Sequence, residues 1–374
     1  MRLFFIIFIL IYLSMHGVVF WGIHPLLKGH SALPTLTWLW MGAMVLTPLS
    51  IRFLEREGWQ LTARALAWVG FSWMGLIFLA FVAFALLGCW ELLIRLARWG
   101  FPSWPCLSLH GAVSAALVMA VVVAAVFYGF HEATDLRVER IRIASAKIPP
   151  GSRTLTIAQV SDLHLGLIHR EEALAPITAR LKELAPDMVV ATGDIVDAQI
   201  SHLDGLSSLW LDIDPPLGKF AVTGNHEYYA GLSQALDFFQ RSGFVVLHNR
   251  VQIVTELLAV AGLDDPVGRP SIDERMIAET PLNGRFTILL KHRPRFNEKA
   301  AGLFDLQLSG HAHRGQMFPF NFFTALEYPM QDGLYELPGG AFLYASRGTG
   351  TWGPPMRIAS PPEITLFEIV PAGP

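Results

Sequence analysis

The stretch Ile157-Ala-Gln-Val-Ser-Asp-Leu-His-Leu-Gly166 decides the fold of the polar part of this chain. Its apolar run ends at Val160 and is followed at once by Asp162 and His164. A short apolar run of this kind predicts a β-strand. At the end of a strand, a carboxylate and an imidazole two residues apart can point at one place, as metal ligands do. The pair is weak evidence by itself, because Asp-x-His also occurs in surface loops that bind nothing.

The same arrangement of an apolar strand and a polar residue recurs along the chain. Four further runs, residues 188–191, 219–222, 286–290 and 306–308, are followed by Gly193-Asp194, Gly224-Asn-His226, His292 and Gly310-His-Ala-His313. Sites in α/β proteins lie beyond the carboxyl ends of strands. Glycine at such a place lets the backbone turn sharply and approach a ligand. We therefore expect eight side chains to converge: Asp162, His164, Asp194, Asn225, His226, His292, His311 and His313.

The chemistry of these side chains indicates a metal site. Oxygen and imidazole ligands without sulfur suit Mn, Fe or Zn, and suit Mg alone less well. Seven ligands are too many for one tetrahedral ion, but they fit two ions about 3.5–4 Å apart that share a carboxylate. Such a pair supplies hydroxide from a bridging water at neutral pH and positions a phosphoryl group for in-line attack. A histidine that is not a ligand could then protonate the leaving oxygen.

These motifs resemble those of the calcineurin-like metallophosphoesterases. Asp162-Leu-His164, Gly193-Asp194, Gly224-Asn-His-Glu227, His292 and Gly310-His-Ala-His313 follow one another in that family's order, and the resemblance covers residues 154–369. The tail Ser346-Arg-Gly-Thr-Gly-Thr-Trp-Gly-Pro-Pro-Met-Arg357 is similar to a bacterial branch of membrane-associated phosphodiesterases. The resemblance implies an α/β (α+β) fold, a β-sandwich flanked by helices.

The resemblance also implies a role for each site residue. Asp162, His164 and His313 would hold one metal, Asn225, His292 and His311 the other, and Asp194 would bridge them, with His226 as the proton donor. Arg314 stands where that branch is expected to have glycine. Its guanidinium either contacts a substrate phosphate or points into solvent. Asp197 is expected to be a loop or helix-cap residue, and Glu227 to support the site rather than to react. Arg347 either reaches the substrate or belongs to a turn.

The first 130 residues differ from the rest in composition. The whole chain is 52% hydrophobic with a mean hydropathy of +0.42, and the excess lies in four runs: residues 3–27, 35–51, 65–90 and 107–130. They are long enough to cross about 30 Å of hydrocarbon. We therefore predict a transmembrane domain of four helices at residues 1–132 and a metallophosphoesterase domain at 133–374. The alternatives are a secretory signal for the first run and a buried helical core for all four.

Charge indicates the orientation of these helices and the class of partner. Eight basic residues, Arg2, Arg52, Arg56, Arg64, Arg137, Arg140, Arg142 and Lys147, would share one side with the large domain, against Lys28, Arg95 and Arg98 on the other. This asymmetry favours a cytoplasmic domain. The net charge of −3 and the lack of a basic run argue against nucleic acid as a partner. The two cysteines, Cys89 and Cys106, lie outside the large domain, which therefore has no thiolate ligand.

The sequence therefore predicts a membrane-anchored phosphoesterase with two divalent metals. It would hydrolyse a phosphodiester, phosphomonoester or pyrophosphate bond through a metal-bridging hydroxide. Its substrate would be a phosphorylated small molecule or a lipid-linked phosphate ester, since related enzymes act on a nucleotide-lipid pyrophosphate. The alternative is a membrane sensor or scaffold whose metal domain binds a phosphorylated ligand without turnover.

Overall fold

A computed structural model describes residues 2–197, 203, 205–268 and 274–372, with the backbone alone for residues 2–5. The chain divides into two compact units. The first contains residues 1–131 and 353–356, and the second contains residues 132–352 and 357–374. Each unit has its own hydrophobic core.

The first unit consists of long apolar helices. They are α1 (Arg2–Leu27), α2 (Leu33–Arg56), α3 (Gln60–Gly100) and α4 (Ala112–Thr134). All four are long and apolar enough to span a membrane. Only 17–28% of each apolar window is buried inside the protein. Most of these side chains therefore remain on the outside, which fits a lipid environment and not a water-soluble helical core.

The second unit contains two six-stranded sheets. The first sheet has the order β1-β12-β2-β3-β4-β5, in which β2 to β5 are parallel. Its strands are β1 (Arg137–Ser145), β2 (Leu155–Val160), β3 (Met188–Thr192), β4 (Lys219–Val222), β5 (Phe244–Val246) and β12 (Glu363–Pro371). The β3 strand is buried at every position, as its unbroken apolar sequence predicts.

The second sheet has the order β10-β11-β9-β8-β7-β6. Its strands are β6 (Arg250–Ile253), β7 (Leu258–Leu263), β8 (Phe286–Lys291), β9 (Leu306–Ser309), β10 (Gly333–Glu336) and β11 (Phe342–Ala345). Both edge strands are antiparallel to their neighbours, while β7, β8, β9 and β11 are parallel. In each sheet, the loops that follow the carboxyl ends of the parallel strands lie along the same edge.

The two sheets face each other across a shared apolar core. Ile157 and Val190 of the first sheet and Ile288 and Leu308 of the second belong to one buried cluster. Separate clusters cover the two outer faces, where helices pack. Helices α5 (Glu171–Leu184), α6 (Leu206–Leu211) and α8 (Leu232–Arg241) contribute to the first of these clusters and α9 (Arg275–Ala278) to the second. The helices α7 (Asn225–Ala230) and α10 (Asn321–Glu327) add no described residue to either cluster. The predicted β-sandwich flanked by helices, preceded by four apolar helices, is therefore confirmed.

Candidate metal centre

Loops that follow five strands bring the predicted ligands together. Asp162 and His164 follow β2, Asp194 follows β3, Asn225 follows β4, His292 follows β8, and His311 and His313 follow β9. All of these side chains are buried except that of His311, which is half-buried. Three of the strands belong to one sheet and two to the other. The site therefore lies where the carboxyl ends of parallel strands from both sheets meet.

The first group of ligand atoms comes from Asp162, His164 and His313. Their atoms lie within 4.8 Å of one another. His313 Nε2 is 3.2 Å from His164 Nε2 and 3.4 Å from Asp162 Oδ1. Two imidazole nitrogens and a carboxylate oxygen that face one point are a suitable set of ligands for one divalent ion.

The second group comes from Asp194, His292 and His311. His292 Nε2 is 3.1 Å from Asp194 Oδ2 and 3.0 Å from His311 Nδ1. The Nδ1–H of His292 donates to the carbonyl of Thr192 at 2.8 Å, which leaves Nε2 directed into the group. A backbone acceptor on the far nitrogen is the usual way in which a protein orients a metal-binding histidine.

Asp194 connects the two groups, and Asn225 follows β4, the strand next to β3 in the sheet. A third set of atoms within 4.8 Å contains Asp194 together with His164 of the first group and His226. Among the described residues, the buried Asn225 Oδ1 has no hydrogen-bond partner. A buried acceptor without a donor is costly, and a cation would satisfy it. The set of donors and this orphan oxygen fit two divalent ions that share Asp194.

The backbone at these ligands is strained. Asp162, His164, Asp194, His311 and His313 have φ values of 54°, 51°, 53°, 69° and 48°. Residues other than glycine rarely adopt this left-handed region, and each such residue costs on the order of 1 kcal/mol. Because strain of this kind gathers at functional sites, the repeated left-handed turns support a role in binding for these loops.

Two glycines permit the close approach of the loops. A Cβ at Gly310 would lie 2.2 Å from Asp162 Oδ2, and a Cβ at Gly224 would lie 2.1 Å from Asp194 Oδ1. Both distances are below any real contact, so only glycine fits. These are the glycines of the Gly-His-Ala-His and Gly-Asn-His motifs, which explains why those motifs contain them.

Asp197 holds His226 beside the ligands, a role that the sequence did not reveal. His226 Nδ1–H donates to Asp197 Oδ1, and Asp197 Oδ2 lies 3.6 Å from His164 Nδ1. Burial lowers the pKa of His226, but the Asp197 carboxylate outweighs burial and raises this pKa to about 9. Burial raises the pKa of Asp197, but His226 and His164 hold it well below its usual range. The expectation of a loop or cap residue at Asp197 was therefore incomplete.

Glu227 supports the loops as expected, without facing the ligands. Its buried carboxylate accepts hydrogen bonds from the backbone N–H groups of Gly224, Asp194, Ile195 and Val196, at 2.7 to 3.1 Å. These bonds tie the loop after β3 to the start of α7. The position of Asp194 therefore depends on Glu227.

Three arginines near the site differ in their surroundings. Arg314 Nε is 3.3 Å from Asp332 Oδ2, and its side chain is 41% exposed. Arg347 makes ion pairs with Glu139 and Glu363, and so belongs to the structure of its loop. The sequence did not indicate a role for Arg357, which is fully buried. Its guanidinium donates hydrogen bonds to backbone carbonyls that include those of Gly350 and Ser360. Its Nη2 lies 3.3 Å from His313 Nδ1. Arg357 therefore holds its loop against His313, one of the predicted ligands.

Metal binding to this site is expected to release protons. Burial lowers the pKa of His292, but Asp194 outweighs burial and raises this pKa to about 10 in the absence of metal. His292 is therefore protonated at neutral pH and must lose that proton to bind a cation. Metal affinity should fall as the pH decreases below about 10. Titration calorimetry of metal-free protein, in buffers of different ionisation enthalpy, measures the protons released.

His226→Ala provides the control for this measurement, because His226 is not one of the proposed ligands. The variant should release as many protons as the wild type. Binding without any proton release at neutral pH would contradict the protonated state of His292.

Solved structures resemble the chain only distantly. A NAD nucleotidase of Haemophilus influenzae has a TM-score of 0.37 and 17% identity, over 52% of this chain and 45% of that chain. A dimetal phosphatase of Danio rerio has a TM-score of 0.34 and 13% identity, over 53% of this chain and 88% of that chain. This chain spans less than half the length of the nucleotidase. At this level of similarity, neither residues nor activities can be transferred.

Sequence relatives are much closer. The family model of the calcineurin-like phosphoesterases matches residues 155–315. An uncharacterized metallophosphoesterase of Aquifex aeolicus is 40% identical over 249 residues, which are 65% of this chain and 95% of the relative. A transmembrane protein with a metallophosphoesterase domain, from Danio rerio, is 34% identical over 66% of this chain and 61% of the relative. The chain belongs to the calcineurin-like metallophosphoesterases and is a metal-dependent phosphoesterase.

Proposed function

We propose that this protein is a membrane-anchored hydrolase that uses two divalent ions to cleave a phosphodiester, phosphomonoester or pyrophosphate bond. The observation that carries this proposal is the position of Asp194. It is shared by two groups of ligand atoms and lies beside His226, a histidine held in place by Asp197. Asp162, His164 and His313 would hold one ion, and Asn225, His292 and His311 the other.

In such a hydrolysis, His226 would act as the proton donor beside the two metal ions. When bound, two divalent ions lower the pKa of a water molecule and offset the negative charge of the phosphoryl oxygens. His226 keeps its Nδ1–H on Asp197, so its Nε2 is free to face the leaving group. Burial lowers the pKa of His226, but Asp197 raises it to about 9 in the metal-free protein, which favours a second proton on Nε2. His226 would therefore donate that proton to the leaving oxygen.

A direct assay tests this function. The full chain, purified in detergent and stripped of metal, should hydrolyse bis-p-nitrophenyl phosphate only after Mn²⁺, Zn²⁺ or Fe²⁺ is restored. The panel should also contain a phosphomonoester and a nucleotide pyrophosphate, because the bond cleaved is not yet known. If no substrate shows metal-dependent turnover, the non-catalytic sensor is the better interpretation. The pairing of His226 with Asp197 argues against a sensor, since binding alone needs no proton donor.

We also infer that α1 to α4 cross the membrane and that the catalytic unit faces the cytoplasm. The inference rests on the eight basic residues expected on the side of the large domain, against three on the other side. In sealed inside-out vesicles, added protease should digest the catalytic unit. If protease added to intact spheroplasts digested the catalytic unit instead, the catalytic unit would face the opposite side of the membrane.

Arg314 remains our candidate for a residue that binds the substrate. It follows the ligand His313 directly and adopts a φ of 50°, which is strained for arginine and suited to glycine. Its ion pair with Asp332 is partly exposed and could be exchanged for a phosphate. Arg314→Gly should raise KM for a soluble phosphodiester by about tenfold and leave kcat unchanged. An unchanged KM would show that Arg314 only faces solvent.

A further inference from the structure

An exposed aromatic segment lies next to the metal centre. We use that name for residues 318–326, which contain Phe318, Phe320, Phe322, Phe323 and Leu326. All five are exposed, with Phe323 at 64% and Leu326 at 82%. None of the residues of α10, all of which the structure describes, is buried. The segment therefore adds no apolar side chain to the described core of the catalytic unit.

The aromatic segment contains two pairs of packed rings. The rings of Phe318 and Phe322 lie 5.7 Å apart, and those of Phe320 and Phe323 lie 5.9 Å apart. Single exposed apolar residues are normal on a protein surface, but two packed ring pairs and an exposed leucine within one short segment indicate an interaction site. In solution, such a surface would cost free energy unless something covered it.

Both ends of the segment are attached to the loop that carries His311 and His313. At its start, a Cβ on Gly315 would lie 2.4 Å from the backbone nitrogen of Asn321, so the chain passes directly against the ligand loop. At its end, the ring of Tyr328 packs edge-on against His311, with centroids 5.0 Å apart. The segment is therefore a fixed wall beside the metal centre and not a loose lid.

The charges around the segment favour a lipid surface as its partner. Residues 317–326 carry no charge, and Glu327 at the end of α10 pairs with Arg295. Arg295 lies at one end of the segment, and Arg314 precedes the other end. Because Arg295 and Arg314 are paired with Glu327 and Asp332, the exposed rings carry no net charge at their borders. An uncharged run of exposed rings is typical of surfaces that enter the region between lipid headgroups and acyl chains.

The connection between the last apolar helix and the catalytic unit is short. The last apolar helix, α4, ends at Thr134, and β1 begins at Arg137. Only Asp135 and Leu136 connect them, and two extended residues span roughly 7 Å. Since α4 is long and apolar enough to span a membrane, a bilayer around α4 would lie within this short connection of the start of β1.

We propose that the aromatic segment inserts into the bilayer surface, and that the substrate is a lipid whose phosphate ester or pyrophosphate passes from that surface to the metal centre. The inference rests on the proposed hydrolase function and names its substrate class. In the reaction, the oxygen of water forms a bond to phosphorus and the bond from phosphorus to the leaving oxygen breaks. The leaving oxygen takes the proton of His226 and keeps the electron pair of the broken bond, and the proton given up by the attacking water restores His226.

Insertion is tested by fluorescence quenching, which does not depend on activity. The full chain, with Cys89→Ser and Cys106→Ser, would carry Phe323→Cys labelled with an environment-sensitive dye and be reconstituted with lipids that bear a quencher on the acyl chain. Ile253→Cys, on the exposed edge strand β6, provides the control. We expect quenching of at least about twofold at position 323 and little at position 253. Equal quenching at the two positions would overturn insertion.

Substrate transfer from the bilayer is tested with a surface variant. Phe322→Ser, Phe323→Ser and Leu326→Ser are combined, and bis-p-nitrophenyl phosphate is compared with CDP-diacylglycerol and phosphatidic acid in phosphatidylcholine vesicles. We expect soluble turnover within about twofold of the wild type and turnover of the lipids lower by about tenfold or more. Ile253→Ser is the matched control and should change neither rate.

The outcomes separate this inference from the function on which it rests. If the wild type cleaves the soluble diester but neither lipid, the substrate class is wrong. If the triple variant loses soluble and lipid turnover alike, the segment only supports the metal centre. If unlabelled Phe323→Cys forms disulfides between two copies and the labelled protein shows no quenching, a second copy covers the surface and the lipid proposal fails. If the wild type cleaves neither the soluble diester nor either lipid, the proposed hydrolase function is wrong. The fluorescence quenching at position 323 would then still show whether the segment inserts into the bilayer.

Discussion

Replacing Asp194 with asparagine is expected to empty both metal positions together. Wild-type protein should retain two divalent ions per chain after dialysis, and Asp194→Asn fewer than one, measured by elemental analysis. The variant's kcat should fall by roughly a thousandfold or more, which is about 4 kcal/mol of lost transition-state stabilisation. No other described carboxylate belongs to two of the groups of ligand atoms.

The local geometry explains why an amide cannot replace this carboxylate. Asp194 Oδ1 accepts the backbone N–H of His226 at 2.8 Å, and Oδ2 faces His292 Nε2 at 3.1 Å. An amide that keeps its oxygen on the N–H of His226 turns its NH₂ group toward His292, where a cation would lie. It also removes the one negative charge that both ions would share.

Asp162→Asn provides the matched control for that experiment. Asp162 belongs to one group of ligand atoms only, so its amide variant should lose one ion and keep the other. Both variants preserve volume, and both should keep the far-ultraviolet circular dichroism of the wild type. If Asp194→Asn retained two ions with wild-type affinity, Asp194 would not be a bridge.

The ligands could be predicted from sequence because each follows an apolar strand. The buried sequence of β3, for example, indicates a strand without reference to any other part of the chain, and Asp194 stands just beyond its end. Asp197 stands three residues later in a loop, where no periodic pattern indicates the direction of its side chain. Its contact with His226 joins the loop after β3 to α7, and such a contact between distant segments leaves no local pattern in the sequence.

The parts of the fold that could not be predicted are those with little burial. The strand β6 has no buried residue, and β10 alternates only between exposed and half-buried positions, so neither shows a clear apolar face. The helix α10 was not predicted because its apolar residues face outward. A periodic pattern of apolar residues indicates packing against a core. The aromatic segment does not pack against the core, since none of the described residues of α10 is buried. The strain at His311 and His313 has no sequence signal either, since only their backbone angles reveal it.

Replacing His226 with alanine is expected to lower kcat by roughly 10²–10⁴-fold while both metals stay bound, because the variant removes the general acid and no ligand. The loss should be largest for substrates whose leaving group is an alkoxide. It should be smaller for bis-p-nitrophenyl phosphate, since p-nitrophenolate leaves readily without a proton. A matched metal content in wild type and variant separates this effect from that of Asp194→Asn.

The pH dependence of kcat distinguishes a proton donor from a residue that only fills space. Burial lowers the pKa of His226, but Asp197 raises it to about 9 in the metal-free protein, so the ring loses its charge on the alkaline side and activity should decline there as the pH rises. Asp197→Asn removes the carboxylate that raises this pKa, so the alkaline decline should move to lower pH while the metals remain. This shift should be absent when His226→Ala is combined with Asp197→Asn. An unchanged alkaline limb in Asp197→Asn would show that another group donates the proton.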